Sequence, residues 1–244
     1  MNYIIFDLEF NQNHPDNKDV ATPNLIFEII QIGALKINSN FEVIDNFNKL
    51  VKPTVYSTIH PYVEKLTNIT IDKVAFCDKF PYIFQEFVSF LGDEDYTLVV
   101  WGSEDLRELL RNINFHNLDN LKVKLNYIDI QQYASKHFKC PKGTKLGLKK
   151  AIELLDLNTN LSFHDAFHDA FYTYEIFKIL YNKNIKSKTY TLPKSRPKLQ
   201  PKEKIDMAAL INQFEKIYKR DMSSEEIEMI KLAYIMGKTR QFIH

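Results

Sequence analysis

Five side chains along the 244-residue chain are of the types that hold divalent cations and move a proton: Asp7, Glu9, Asp105, His164 and Asp169. Asp7 and Glu9 sit two apart at the end of the apolar run Tyr3-Ile4-Ile5-Phe6. On an extended chain both point to the same face. Two carboxylates there repel each other in a dry site, and a divalent cation is the usual offset. Alone, the triplet is weak, because a chain with 31 Asp+Glu produces such pairs by chance. Asp105 comes just after the apolar stretch 97–101 and the turn Gly102-Ser103. A strand, a tight turn and an acid at a helix start deliver a carboxylate to a sheet edge. An acid there also simply complements the helix dipole.

His164 and Asp169 belong to His164-Asp165-Ala166-Phe167-His168-Asp169. Five residues on an ideal helix turn through ~140°, so the pair cannot share a face from mid-helix. If Asp165 caps the helix, His164 lies outside it and can swing over the site while Asp169 points in. Ser162 is a rival cap that would put His164 inside.

These residues need a sheet whose strand ends converge. Residues 1–8 read as a strand, as do 27–37 and 41–51, joined as a meander. Gly33 inside the second suggests a bulge or a close packing point. The period then changes. Helices are expected at 60–68, 71–75 and 80–91, where Phe80, Ile83, Phe84, Phe87, Phe90 and Leu91 mark one apolar face. Strands at 97–101 and 126–130 follow. Helices are expected at 104–112, 131–137, 146–155 and 165–182. Three meandering strands, then strands alternating with helices, predict an α/β fold with a five-stranded mixed sheet.

The chain expected at 1–183 is followed by a Pro-containing linker at 184–202 and a helical hairpin at 203–244. Ser223 and Glu226 form a capping box in the hairpin. The closing helices fit docking on the body, a dimer contact or extension of a substrate groove. The net charge of +1 is unevenly spread. Residues 183–204 carry +7 and residues 1–182 carry −6. An acidic body suits a site full of carboxylates that metal ions neutralise, and the basic strap suits either a phosphate backbone or plain solvent. No run approaches the ~20 apolar residues of a membrane span, and the early acids exclude a signal peptide. Cys77 and Cys140 lack metal-type spacing and fit a reduced, cytoplasmic compartment.

The motifs in order carry a resemblance. Asp7-x-Glu9, then Glu28-Ile29-Ile30-Gln31-Ile32-Gly33-Ala34, then Leu66-Thr67-Asn68-Ile69-Thr70, then Asp105, then His164-x-Ala166-x-x-Asp169 resemble the DnaQ-like DEDDh family of 3′–5′ exonucleases. The branch most similar is the KapD-like and Eri-1-like one, and about residues 1–183 are covered. Asp165 occupies the position where the tyrosine-type variant carries Tyr, which favours the histidine type. Asn68 stands where family members often have glycine.

The resemblance implies a ribonuclease-H-like fold and a single-stranded nucleic acid as partner, bound by its 3′ end, with RNA or short oligonucleotides favoured. It also implies substrate contacts from Leu8, Phe10 and Leu66. The residues themselves support two hard cations, Mg²⁺ or Mn²⁺, on the four carboxylates, clamping an in-line displacement at phosphorus. His164 is the expected general base, and 5′-mononucleotides are the expected products. A second reading is a catalytically silent nucleic-acid-binding or regulatory protein on the same scaffold. Such a protein is expected to lack a carboxylate or the histidine, and all five are present.

Overall fold

The computed structural model describes residues 1–13, 25–158, 160–191 and 206–238. Most of residues 11–24, whose polar composition with Pro15 and Pro23 reads as a loop, and most of the expected linker lie outside these residues. Two compact units are present, Met1–Leu192 and Pro193–His244.

The first unit is built on β1 (Asn2–Asn11), which pairs antiparallel with β2 (Glu28–Ile37) and parallel with β4 (Tyr96–Val100). β2 pairs antiparallel with β3 (Val43–Leu50), and β4 pairs parallel with β5 (Asn126–Asp129). The apolar run Tyr3–Phe6 places β1 in the centre, where both its faces are buried. Ile4, Phe6 and Leu8 pack on one side, against α3 (Phe80–Leu91) and α4 (Glu104–Phe115). Tyr3 and Ile5 pack on the other, against α5 (Ile130–His137), α6 (Leu148–Leu154) and α7 (Ala166–Leu180). The expected face of α3 is the buried one, from Phe80 to Leu91.

Where five strands were expected, the sheet has six, in the order β3-β2-β1-β4-β5-β6. β6 is only Lys188–Thr189, antiparallel to β5. Both residues are exposed, so no apolar pattern marks them. What holds them is backbone pairing and the neighbouring Tyr190, whose N–H donates to Leu125 O at 2.8 Å. Its ring is buried edge-on to Tyr127 at 5.7 Å. A 3-10 turn at Asn120–Lys122, capped by Asp119, was also not foreseen.

Two short helices, α1 (Pro61–Thr67) and α2 (Ile71–Val74), flank the sheet. Their Val63 and Val74 join Ile30, Ile59 and Ile69 in a small separate cluster. Asn68 ends α1 at φ 57°, in the left-handed region. Asparagine is the side chain that most readily replaces glycine there, which explains its presence in the motif.

The second unit contains α8 (Met207–Tyr218), capped by Asp206, and α9 (Ser224–Lys238). The capping box forms: Ser223 N donates to Glu226 Oε2 at 2.9 Å and Glu226 N donates to Ser223 Oγ at 3.3 Å. Among the described residues, no helix is long and apolar enough to cross a membrane.

Candidate active site

Because β1, β4 and β5 are parallel, their C-terminal ends meet at one edge of the sheet. Asp7 and Glu9 lie at that end of β1. Asp105 enters the same edge from the first turn of α4, which follows β4. Asn112, on α4, is fully buried; its Oδ1 accepts from Ile29 N and its Nδ2 donates to Phe27 O. Those bonds fix α4 against the start of β2, beside the bulge where Ile30 of β2 is the extra residue opposite Glu9 and Phe10.

α7 arrives from the other side. Gly33, which pairs with Asp7 in the β1–β2 ladder, meets its N-terminus main chain to main chain. The close packing point expected of Gly33 is therefore what it provides. Gln31, paired with Glu9, donates from Nε2 to Asp165 Oδ2 at 3.1 Å. Its Oε1 accepts from Ala166 N at 3.1 Å. Asp165 is the N-cap: its Oδ1 accepts from Phe167 N at 3.0 Å and His168 N at 3.1 Å. The rival cap, Ser162, instead lies against His168, with Oγ 3.2 Å from Nδ1.

His164 consequently lies outside the helix, at φ +64°. Such a backbone costs a non-glycine residue about 1–3 kcal/mol and gathers at functional sites. It turns the His164 N–H back to Asp169 Oδ2 at 3.2 Å. The ring is exposed, while Asp169 is buried. Ligand atoms of Glu9, His164 and Asp169 lie within 4.8 Å of one another.

The four carboxylates act on one another. Asp7 is pushed well above the usual range, first by burial and then by Asp105, Asp169 and Glu9, against the help of the Leu8 N–H. Asp7 as a whole residue is half-buried. Burial raises Glu9 to about 8, with Asp169 and Asp105 adding to it. Asp105 also reaches about 8 through burial, opposed by its own backbone N–H. Asp169 reaches about 6, held down by the His164 N–H. His164 itself is lowered, by partial burial and then by the Lys149 charge.

Asp169 Oδ1 is buried with no hydrogen-bond partner among the described residues. An orphaned carboxylate oxygen among three other strained carboxylates is a donor set that fits a hard divalent cation.

The remaining candidates sit as follows. Leu8 is 3% exposed and in the core, which leaves only its backbone for a ligand. Phe10 stays on the Leu8 side of the strand, half-buried, with its ring 6.1 Å from Phe27. Leu66 is half-buried on α1. Asn11, fully buried, ties that region to β1: its Nδ2 donates to Thr58 O and its Oδ1 accepts from His60 N, both at 2.9 Å. Trp101 packs against the α7-side core, as its strand position suggests. Gln31, Asn11 and Asn112 were missed as site-builders. Gln31 alone carries a signal, an amide inside an otherwise apolar stretch, while Asn11 and Asn112 sit among polar neighbours that mask them.

The family model described as Exonuclease, RNase_T, matches residues 4–177. The chain belongs to this exonuclease family. It is a nuclease of the DnaQ-like DEDDh type, a family that works with divalent metal ions.

Solved structures share the exonuclease's fold. The nuclease domain of 3′hExo, a DEDDh family member bound to rAMP, is 20% identical, with a TM-score of 0.66 over 79% of this chain and 97% of that one. Cell-death related nuclease 4 (CRN-4) is 21% identical, with a TM-score of 0.62 over 76% of this chain and 65% of that one. E. coli exonuclease I in complex with a dA16 oligonucleotide is 17% identical, with a TM-score of 0.57 over 73% and 41%. No curated protein sequence matches the exonuclease.

Proposed function

We propose that this exonuclease shortens single-stranded nucleic acid from its 3′ end, RNA or short oligonucleotides foremost, and releases 5′-mononucleotides. The observation that carries the reading is the convergence of Glu9, His164 and Asp169 within 4.8 Å beside Asp7 and Asp105. The 3′ polarity draws support from the motif order and from structural neighbours that are 3′-exonucleases.

Asp7, Glu9, Asp105 and Asp169 would hold two Mg²⁺ or Mn²⁺ ions. When bound, the ions supply the positive charge that lets four carboxylates ionise together and that stabilises the charge developing around phosphorus. Asp7, beside the other three carboxylates, would contribute its oxygens to that ligand set. His164 accepts the proton of the attacking water on a ring nitrogen. Its lowered affinity for protons keeps the ring neutral near pH 7, as a base must be. Its left-handed backbone holds the ring at the solvent rim, where water arrives.

Leu66 packs on the last base, positioned by the Asn11 tether. Phe10 flanks the terminal nucleotide, and Leu8 contributes through its backbone. Catalysis is assigned to residues 1–183, with the linker and hairpin as appendages. The two cysteines, both free, agree with a cytoplasmic setting.

The silent-binder reading is disfavoured because none of the five residues is replaced. The test is incubation with 3′- and 5′-labelled RNA and DNA strands, in Mn²⁺ and in EDTA, for wild type and Asp7→Asn. Stepwise metal-dependent loss from the 3′ end, abolished in a folded Asp7→Asn, is the expected result. A fully active Asp7→Asn, or no shortening of any strand, overturns the reading.

A further inference from the structure

Residues 136–150 contain six lysines and no acid. The rest of residues 1–182 carries 24 acids against 12 Lys and Arg. A basic run this isolated in an acidic body creates a local positive field that the body would otherwise lack. Lysine runs are commonly no more than solvated surface, so position has to decide.

Position favours a site. α5 begins directly after β5, at the sheet edge that holds the carboxylates. The loop after α5 is fixed rather than free. Gln131 Nε2 donates to Leu146 O at 3.0 Å, and Leu146 N donates to Ser135 Oγ at 3.0 Å. Leu146 is itself buried. Between α5 and this loop lies a pocket of 460 Å³, into which Lys136, Lys142 and Lys145 contribute. That is within the size of ordinary small-ligand sites, roughly 300–1,000 Å³, and enough for a nucleotide.

One wall of the pocket leads toward the carboxylate edge, and Lys149 stands outside the pocket near His164. Gln131, on its wall, lies against Gly102, where a Cβ would sit 3.1 Å from Gln131 Oε1. Gly102 begins the turn into α4 and Asp105. Lys149, from the same lysine run, sits with Nζ 5.9 Å from the ring of Phe163, the neighbour of His164. Lys139, Lys142 and Lys145 are exposed, and none of their ammonium groups makes a hydrogen bond or ion pair among the described residues. Lys150, by contrast, is spent on Glu153.

The geometry points to a phosphate track: the single strand runs from the carboxylate cluster past Lys149 into the pocket between α5 and the 138–147 loop, which holds a nucleotide on the 5′ side of the bond being cut. The assignment rests on the exonuclease reading and names the part of the substrate that reading leaves open. Lysines are point charges on flexible stems. They grip a backbone without reading bases, so the track is sequence-independent. It also sets a minimum strand length, because a very short substrate ends before reaching the pocket.

The experiment compares wild type with a Lys136→Gln, Lys142→Gln, Lys145→Gln triple variant. Lys124→Gln serves as a control, since Lys124 is held by Asp95 near the start of β4, at the opposite edge. Binding of fluorescent three- and twelve-nucleotide single strands is read by anisotropy over a salt series, in an Asp7→Asn background with Mn²⁺. Thermal melts of each variant check folding. Each lost phosphate contact removes about 0.7 from the slope of log affinity against log salt for a single strand.

The triple variant should lose about 2 from that slope, and at least about tenfold in affinity for the twelve-nucleotide strand. Its loss on the three-nucleotide strand should be several-fold smaller, and Lys124→Gln should follow the parent. An unchanged slope and affinity in the triple variant overturns the track. So does equal loss on both lengths, or a poly-glutamate of matching charge that binds as tightly as the strand. If wild type shortens strands while the triple variant binds normally, the track falls and the exonuclease reading stands. If no strand is shortened but the triple variant still loses binding, the exonuclease reading falls, the track toward a cleaved bond falls with it, and the lysines remain only a single-strand binding surface.

Discussion

Gly33 and Phe167 meet so closely that a Cβ added to Gly33 would lie 2.1 Å from the backbone nitrogen of Phe167. The same Cβ would lie 2.2 Å from the Ala166 carbonyl carbon. This contact sets the depth of α7 against β2. Asp169 lies in the first turn of that helix, and Asp7 is opposite Gly33 on β1. The distance between two of the four carboxylates therefore depends on a missing side chain.

Gly33→Ala should thus damage stability and activity together. Backbone cannot yield as a flexible side chain does, so overpacking should cost about 2–3 kcal/mol. Thermal melts should show the loss, and the folded fraction should turn over more slowly than wild type. A Gly33→Ala variant with wild-type melting and rate would show that α7 has slack at this point.

Asp165 ties the cap of α7 to Gln31. Asp165→Ala removes the acceptor for Phe167 N, His168 N and Gln31 Nε2. Loss of a cap costs about 1 kcal/mol, a melting shift of about 2–4 °C in a chain of this size. The turn holding His164 loosens with it, so kcat should fall more than KM rises. Asp165→Asn keeps an oxygen at the cap and should recover most of the stability. Full activity in Asp165→Ala would separate the cap from the placement of His164.

The carboxylate cluster makes stability depend on pH with an unusual sign. Glu9 and Asp105 titrate at about 8 and Asp169 at about 6 in the folded chain, against about 4 when unfolded. Asp7 is shifted the same way. Between those values the folded state keeps protons that the unfolded chain has released. Stability therefore falls as pH rises from about 4 to about 8. Melts in EDTA should drop across that window. Saturating Mn²⁺ should flatten or reverse the trend, because the metal displaces the same protons. Melting in EDTA that rises with pH would contradict the clustering.

His164→Gln should leave folding nearly untouched, because the ring is exposed; a surface change of this kind is usually within about 0.5 kcal/mol. Its rate should fall by about 10²–10⁴, the usual contribution of a general base. Wild-type kcat should decline on the acid side, at a pH below that of an ordinary imidazole, since partial burial and Lys149 lower its affinity for protons. The variant should lack that limb. A wild-type-like rate in His164→Gln would remove the base from the mechanism.

The five chemical residues were legible because each sits at a strand end or helix start that local pattern marks. Asp7 and Glu9 close an apolar run, Asp105 follows a glycine turn, and Asp165 is a good cap. The α3 face was legible for the same reason: its period belongs to one helix. β6 was not, because two exposed residues acquire strand geometry only from a partner strand over 60 residues away. The basic run at 136–150 was written in the sequence but carried no meaning there, since only the fold brings it to the carboxylate edge.

By itself the sequence determined which side chains could hold cations, where the five longer strands and the main helices would form, and that His164 would lie outside its helix if Asp165 were the cap. Those are local matters of residue type, spacing and capping. Tertiary structure alone decided that Asp165 is the cap, because Gln31 on a distant strand holds its second oxygen. It also decided how far the carboxylates would be pushed from their ordinary behaviour. That shift arises first from burial, which no local pattern encodes, and for Asp7 and Glu9 also from Asp105 and Asp169, more than 90 residues away in the chain.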